Sequence, residues 1–151
     1  MKAKQRLPYP TELQQKLNRL FKELNNAVKR FYLLAQIAKT EPLVLFYHKK
    51  LEERKAFRSE LKAYLKANDV RIETSGTVTG AFSRLHTKIK TMFDNDEDEV
   101  SLTKAKYHDE SLLYDYKSVL SKPEILSDNL KLLLENHYAQ IASDVQKMNS
   151  L

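Results

Sequence analysis

Only two glycines and four prolines interrupt this 151-residue chain, and that scarcity constrains its fold more than any other feature. A sheet needs turn residues at every hairpin, either to reach positive φ or to fix a bend. A chain with so few can build only long elements joined by few connections, which predicts an all-α protein. At this length one domain is expected, burying about 68–70% of its unfolded surface. The composition, 42% hydrophobic and 30% charged, is that of globular material and not of a disordered tail.

The apolar spacing supplies the elements. Leu13, Leu17, Leu20/Phe21, Leu24, Val28, Phe31 and Leu34/Ala35 step by three and four, the mark of one helix face, and predict a helix over 11–39 after a short N-terminal extension, 1–10. Thr11 reads as its N-cap, with Gln14 completing a capping box. Thr40-Glu41-Pro42 restarts the chain, and Val44, Tyr47, Leu51, Arg54, Phe57/Arg58, Leu61 and Leu65 predict a second helix over 41–68. Residues 70–76 lack helical period and read as a connection. Val78, Phe82, Leu85, Ile89 and Met92/Phe93 predict a shorter helix over 77–93. The acidic run Asp94–Glu99 lacks the spacing of a calcium loop and reads as a solvated turn that also charges the next helix start. Leu102, Ala105, Asp109, Leu112/Leu113, Tyr116 and Val119/Leu120 predict a helix over 97–120. Ser121, Pro123 and Glu124 form the plainest start signal in the chain and place the last helix over 122–149.

The two halves echo each other. Pro42 and Pro123 are 81 residues apart, and the same shift carries Thr40 onto Ser121. It also carries Phe21, Leu24, Val28, Phe31 and Ala35 onto Leu102, Ala105, Asp109, Leu112 and Tyr116. Two similar antiparallel hairpins joined by a long crossover are the ferritin-like way of building a four-helix bundle, so residues 11–149 read as one such domain with an additional crossover helix.

The net charge of +6 is unevenly spread. Residues 1–70 carry 16 Lys and Arg against 7 Asp and Glu, whereas residues 71–151 carry 10 against 13. A basic half can serve nucleic acid or an anionic surface, but lysines spread this evenly read as helix solvation, and nucleic acid is not expected. Cysteine is absent, which excludes disulfides, thiolate metal sites and a cysteine nucleophile. No apolar run is long enough to span a bilayer and no signal-like stretch follows the basic N-terminus, so a cytoplasmic location is the expectation.

The stretch Ser75-Gly76-Thr77-Val78 with Gly80-Ala81 resembles the crossover signature of a bacterial ferritin-like four-helix-bundle family described only as a domain of unknown function. Leu17, Asn18 and Leu20, Arg54, Phe57, Glu60 and Leu61, Asp109 and Glu110, and Tyr138 extend the resemblance over most of the chain. It implies a ferritin-like fold and a bacterial source, and no activity. Where relatives tend to carry a glutamate this chain has Val28, and where they tend to carry a late histidine it has Val145. Asp109 alone keeps an acid, in place of another glutamate.

The residues themselves agree that metal chemistry is missing. A di-metal bundle needs carboxylates from two helices and a Glu-x-x-His pair from each of the other two, and the sequence contains no such pair. Glu135 and His137 are two apart and cannot share a helix face. His48, His86 and His108 sit beside their stripes and read as solvent-facing. Three polar residues fall on apolar stripes: Arg54, Asp109 and His137. Arg54 and Asp109 on facing stripes are expected to pair, because a lone buried charge is costly. His137 reads as a hydrogen-bonded histidine at the core edge. The tyrosines, among them Tyr47, Tyr64, Tyr107, Tyr114, Tyr116 and Tyr138, read as seam packing and not as base-stacking platforms. With only Gly76 and Gly80 there is no phosphate loop.

The expectation is therefore a non-enzymatic bundle with no catalytic residue, cofactor or metal ligand. It acts through its surface as a bacterial accessory or stress-associated protein, and a homodimer is the expected assembly. One rival is a di-iron or di-manganese oxidase or iron-handling protein, which requires Asp109, Glu53 or Glu135, and His137 to converge. Another is binding of an anionic surface by the basic half.

Overall fold

A computed structural model of the chain describes residues 9–72, 87 and 97–151. Its long helices are α1 (Thr11–Ile37), α2 (Glu41–Ala67), α3 (Asp98–Leu120) and α4 (Asp128–Met148), with a 3-10 turn at Pro123–Ile125. α1 packs against α2 and α3, and α4 against α3 and α2, so each helix has two flanking neighbours. The result is an all-α four-helix bundle. The crossover helix expected at 77–93 and the motif Ser75, Gly76, Thr77 and Gly80 lie outside the described residues. Among the described residues no helix is long and apolar enough to cross a membrane.

Contacts at the helix ends fix the directions. At one end the Asp98 carboxylate, opening α3, accepts the backbone N–H groups of Lys39 and Thr40 between α1 and α2, at 2.9 and 2.8 Å. At the other end Lys16 Nζ donates to the Ser118 carbonyl at 3.3 Å, and the Tyr64 hydroxyl meets that of Ser127. α1 is thus antiparallel to α2 and α3, and α4 antiparallel to both as well. α2 ends at the end of the bundle opposite to that where α3 begins.

Local chemistry explains three boundaries that differ from the sequence reading. Pro10, not Thr11, is the N-cap of α1, and no side chain caps it; the Gln14 amide instead donates to the Tyr9 carbonyl at 2.7 Å. Ser121 does not start the last helix. Its hydroxyl donates back to the Ser118 carbonyl at 2.8 Å and finishes α3. Pro123 opens the 3-10 turn, Leu126 is buried in the core, and Ser127 is the true cap, accepting from Leu130 N–H at 3.2 Å. α2 closes in a Schellman motif: Val70 N–H bonds the Leu65 carbonyl and Asp69 N–H bonds that of Lys66. Asp69 takes the left-handed position at φ 58, and buried Val70 supplies the accompanying apolar contact.

The core forms two apolar clusters. One gathers Leu13 to Ala27 of α1 with Leu61, Leu65, Leu112, Tyr116, Leu130 and Ile141. The other gathers Val28 to Ala35 with Leu43, Tyr47, Leu51, Leu102 and Ala105. Between them lies a layer of charge.

Candidate functional site

That layer draws a side chain from each of the four described helices. On α2, Lys50, Glu53 and Arg54 fall at i, i+3 and i+4 and so share one face. α1 supplies Arg30, α3 Asp109, and α4 the one-turn pair Gln140 and Asp144. Arg54 Nη2 donates to Asp109 Oδ2 at 2.9 Å and to Asp144 Oδ2 at 3.0 Å. Lys50 Nζ donates to Asp144 Oδ1 and Glu53 Oε1, each at 2.7 Å. Gln140 is the third donor to the Asp144 carboxylate, reaching Oδ1 at 3.0 Å. Arg30 Nη2 approaches Asp109 Oδ1 to 3.7 Å, an ion pair without a hydrogen bond. Arg54, Asp109 and Asp144 are fully buried, and Lys50 is 1% exposed.

Aromatic faces line the cations. The Arg54 guanidinium lies 5.4 Å from the Phe31 ring and 5.7 Å from that of Phe57, and Lys50 Nζ lies 5.4 Å from Phe46, distances suited to cation–π attraction. Burial opposes the charge on Arg54, but Asp109 and Asp144 more than offset it, holding the guanidinium above the usual arginine range. Burial pushes Arg30 below that range against the pull of Asp109; arginine's intrinsic basicity still leaves it charged at neutral pH. Arg30, Lys50 and Arg54 thus face Asp109, Asp144 and Glu53, and the layer is formally neutral. Among the described residues Arg54 Nε and Nη1, Arg30 Nε, Asp109 Oδ1 and Tyr47 Oη have no hydrogen-bond partner.

A second polar group sits beside this layer. His137 stacks on Phe57 with ring centroids 4.0 Å apart. Its Nε2 lies 2.8 Å from Glu60 Oε1, and its Nδ1 lies 2.9 Å from the Tyr116 hydroxyl. A carboxylate can only accept, so Nε2 carries the proton and Nδ1 accepts from Tyr116 O–H. Burial lowers the His137 pKa, Glu60 pulls it back, and the net direction is down. Burial also raises the Tyr116 phenol.

The structure brings Arg54 and Asp109 together and buries His137 one helical layer away. It does not bring together the metal set of the oxidase reading. Glu53 is taken by Lys50, Glu135 is exposed, and His137 is held by Glu60 and Tyr116. Among the described residues no group of three or more His, Asp or Glu is placed to hold a metal ion. His48 is exposed, whereas His108 is half-buried and not solvent-facing; burial, then the charge of Arg30, lowers its pKa. His86 lies outside the described residues. Tyr47 and Tyr116 pack in the core, but Tyr107 and Tyr114 stand out from α3 at 68% and 72% exposure, contrary to the seam reading. Surface cavities of about 350 and 490 Å³ flank the end of α3, and neither opens onto the ionic layer.

Sequence reasoning missed Arg30, Lys50 and Asp144, and also Asp115, buried beside Arg19 at 3.4 Å. The signal was present. Lys50 lies at i+3 from Tyr47 and i−4 from Arg54, and Asp144 at i+7 from His137. Each was hidden by an adjacent apolar residue, Leu51 or Val145, that already satisfied the stripe.

Comparison with known proteins adds one finding. A family model described as "Domain of unknown function (DUF2383)" matches residues 12–122. No curated protein matches the chain.

Proposed function

We propose a function for a chain that belongs to the DUF2383 family, a premise that carries no activity with it: the protein is a non-enzymatic, ferritin-like bundle that works through its surface, as a bacterial cytoplasmic accessory or stress-associated protein. One observation carries this reading. The Arg54 guanidinium stands between Asp109 and Asp144, where facing helices of a metal-binding bundle would aim carboxylates at a cation.

The donor set does not fit a di-metal centre. Two fully buried carboxylates are present, but three of their four oxygens accept from Arg54, Lys50 and Gln140, and Arg30 flanks the fourth, Asp109 Oδ1. A divalent ion entering here would meet three fixed positive charges and would have to displace a lysine and an arginine. Hard cations need several free anionic oxygens to offset desolvation, and of the two buried carboxylates only Asp109 Oδ1 is without a hydrogen bond, with Arg30 Nη2 3.7 Å away. The ferritin-like part of the reading is supported by the topology: α2 and α3 are joined across the length of the bundle, as in bundles with one long crossover. The bacterial part rests on the sequence resemblance around Ser75 to Ala81, and the accessory or stress-associated part on an intact scaffold that carries Val28 and Val145 at the expected ligand positions.

Anaerobic calorimetric titration with Fe(II) and Mn(II), followed by elemental analysis after dialysis, tests the proposal. No stoichiometric uptake is expected. Stoichiometric iron or manganese that is retained by the wild-type chain and lost in Asp109→Asn would overturn it.

A further inference from the structure

Tyr116 is fully buried on α3, and its phenolic proton points at a base. The hydroxyl donates to His137 Nδ1 at 2.9 Å, and His137 Nε2 donates to Glu60 Oε1 at 2.8 Å. The His137 side chain is 2% exposed and that of Glu60 52%, so this chain of donors runs from the core to solvent. Any buried phenol needs a partner, and a backbone carbonyl would serve. A neutral imidazole that is itself backed by a carboxylate supplies more: a proton acceptor within transfer distance. We infer that Tyr116 is a redox-active tyrosine, which gives one electron to a small inorganic radical oxidant while its phenolic proton passes to His137.

The composition narrows one-electron chemistry to tyrosine. The chain has eight tyrosines but no tryptophan and no cysteine, and methionine is oxidised by oxygen addition to the sulfoxide, a two-electron step. Other described tyrosines lack a base on the hydroxyl: that of Tyr64 meets the Ser127 hydroxyl, and Tyr47 Oη has no partner. Burial raises the Tyr116 phenol, so a phenolate does not form first, and lowers His137, which leaves the imidazole free to accept. Oxidation is therefore coupled to the proton shift. The radical X• takes the electron and becomes X⁻, the O–H bond breaks, and an N–H bond forms at Nδ1. A neutral phenoxyl is left beside an imidazolium. Arg54 opposes that new positive charge, and Glu60, bonded through Nε2, offsets it. Oxidation that strikes first at exposed Tyr107 or Tyr114, on the same helix, reaches the same end. An electron from Tyr116 and a proton from water then restore the exposed phenol. The hole rests where its proton has a base, away from solvent, in a capacity separate from the surface role.

Pulse radiolysis of the full chain with azide radicals is the test. The phenoxyl is followed by transient absorbance and by electron paramagnetic resonance after freezing, with circular dichroism to confirm folding. Wild-type protein is expected to hold a long-lived phenoxyl. Tyr116→Phe leaves the radical on exposed tyrosines, where it ends in dityrosine cross-links, and should shorten its lifetime by at least about tenfold. His137→Gln separates packing from proton transfer: a glutamine amide can accept from Tyr116 and donate to Glu60, but it cannot take up the proton. It should behave as Tyr116→Phe does. Glu60→Gln removes the counter-charge at a half-exposed side chain and should shift the lifetime in the same direction. A wild-type radical no longer-lived than that of Tyr116→Phe, or a His137→Gln lifetime equal to wild type, would overturn the inference. Should those two variants unfold, an unchanged lifetime in Glu60→Gln would do the same.

Discussion

Removing one acid from the ionic layer should cost different amounts depending on which cation is left behind. Asp109→Ala strands two guanidiniums, because Arg54 keeps only one hydrogen-bonded carboxylate, Asp144, beside a 3.8 Å approach to Glu53, and Arg30 loses its closest carboxylate. Arginine cannot shed its proton at accessible pH, so the charge stays buried. Asp144→Ala removes one partner each from Lys50 and Arg54, but Lys50 retains Glu53 at 2.7 Å and Arg54 retains Asp109 at 2.9 Å. Breaking a buried pair from one side costs about 3–5 kcal/mol. Asp109→Ala belongs at the top of that range and Asp144→Ala at or below the bottom. In a domain of this length each kcal/mol moves the melting midpoint by about 2–4 °C, so Asp109→Ala should lower it by roughly 10–20 °C. Urea titrations followed by far-UV circular dichroism at neutral pH measure both. Equal costs for the two variants, or an Asp109→Ala loss below about 1 kcal/mol, would refute the burial of the paired charges as described.

Three further outcomes follow from the same contacts. Glu60→Gln removes a group that raises the His137 pKa and should move it further down in an NMR titration; because the fold already favours the neutral ring, stability should decline as pH falls below 6.5, and His137→Gln should flatten that slope. Asp98→Ala releases the backbone N–H groups of Lys39 and Thr40 and should cost about 1 kcal/mol in denaturant, as loss of a cap does, with the difference from wild type fading as pH falls through the depressed carboxyl pKa. Asp115→Asn should raise the melting midpoint at neutral pH, since burial holds that carboxyl above its ordinary pKa of 3.8 and the charged form is disfavoured; the gain should disappear in acid.

The helices were legible because each long element buries a stripe, and the period of that stripe survives any error at its ends. The in-phase echo between halves is a good example: Phe21, Leu24, Val28, Phe31 and Ala35 are all buried, and so are Leu102, Ala105, Asp109, Leu112 and Tyr116. The ends were less legible because a cap signal is a few residues long and two can compete. Ser121 with Pro123 and Glu124 read as the start of the last helix, yet the Ser121 hydroxyl is committed to closing α3 and Ser127 is the cap. Arg54 and Asp109 stood out because each occupies a stripe position alone. Lys50 and Asp144 did not, since Leu51 and Val145 filled the same turn of their helices. The excess of base in residues 1–70 and of acid in residues 71–151 read as surface charge. Part of it is internal: Arg30, Lys50 and Arg54 of the first hairpin meet Asp109 and Asp144 of the second. Charge that seems asymmetric along the chain is paired across the bundle, which also removes three cations from any anion-binding surface.

A double-mutant cycle on Arg54 and Asp109 interrogates the ionic layer most directly. Arg54→Met, Asp109→Leu and the double variant would be unfolded in urea at neutral pH. If the layer is a closed unit in which each charge needs the other, Asp109→Leu alone is severe, Arg54→Met is milder because Arg30 and Lys50 still face the two carboxylates, and the double variant recovers part of the loss. The coupling should exceed about 2 kcal/mol. Additive losses, with coupling within about 0.5 kcal/mol of zero, would mean that Arg54 does not neutralise Asp109 and that the bundle interior must be read again.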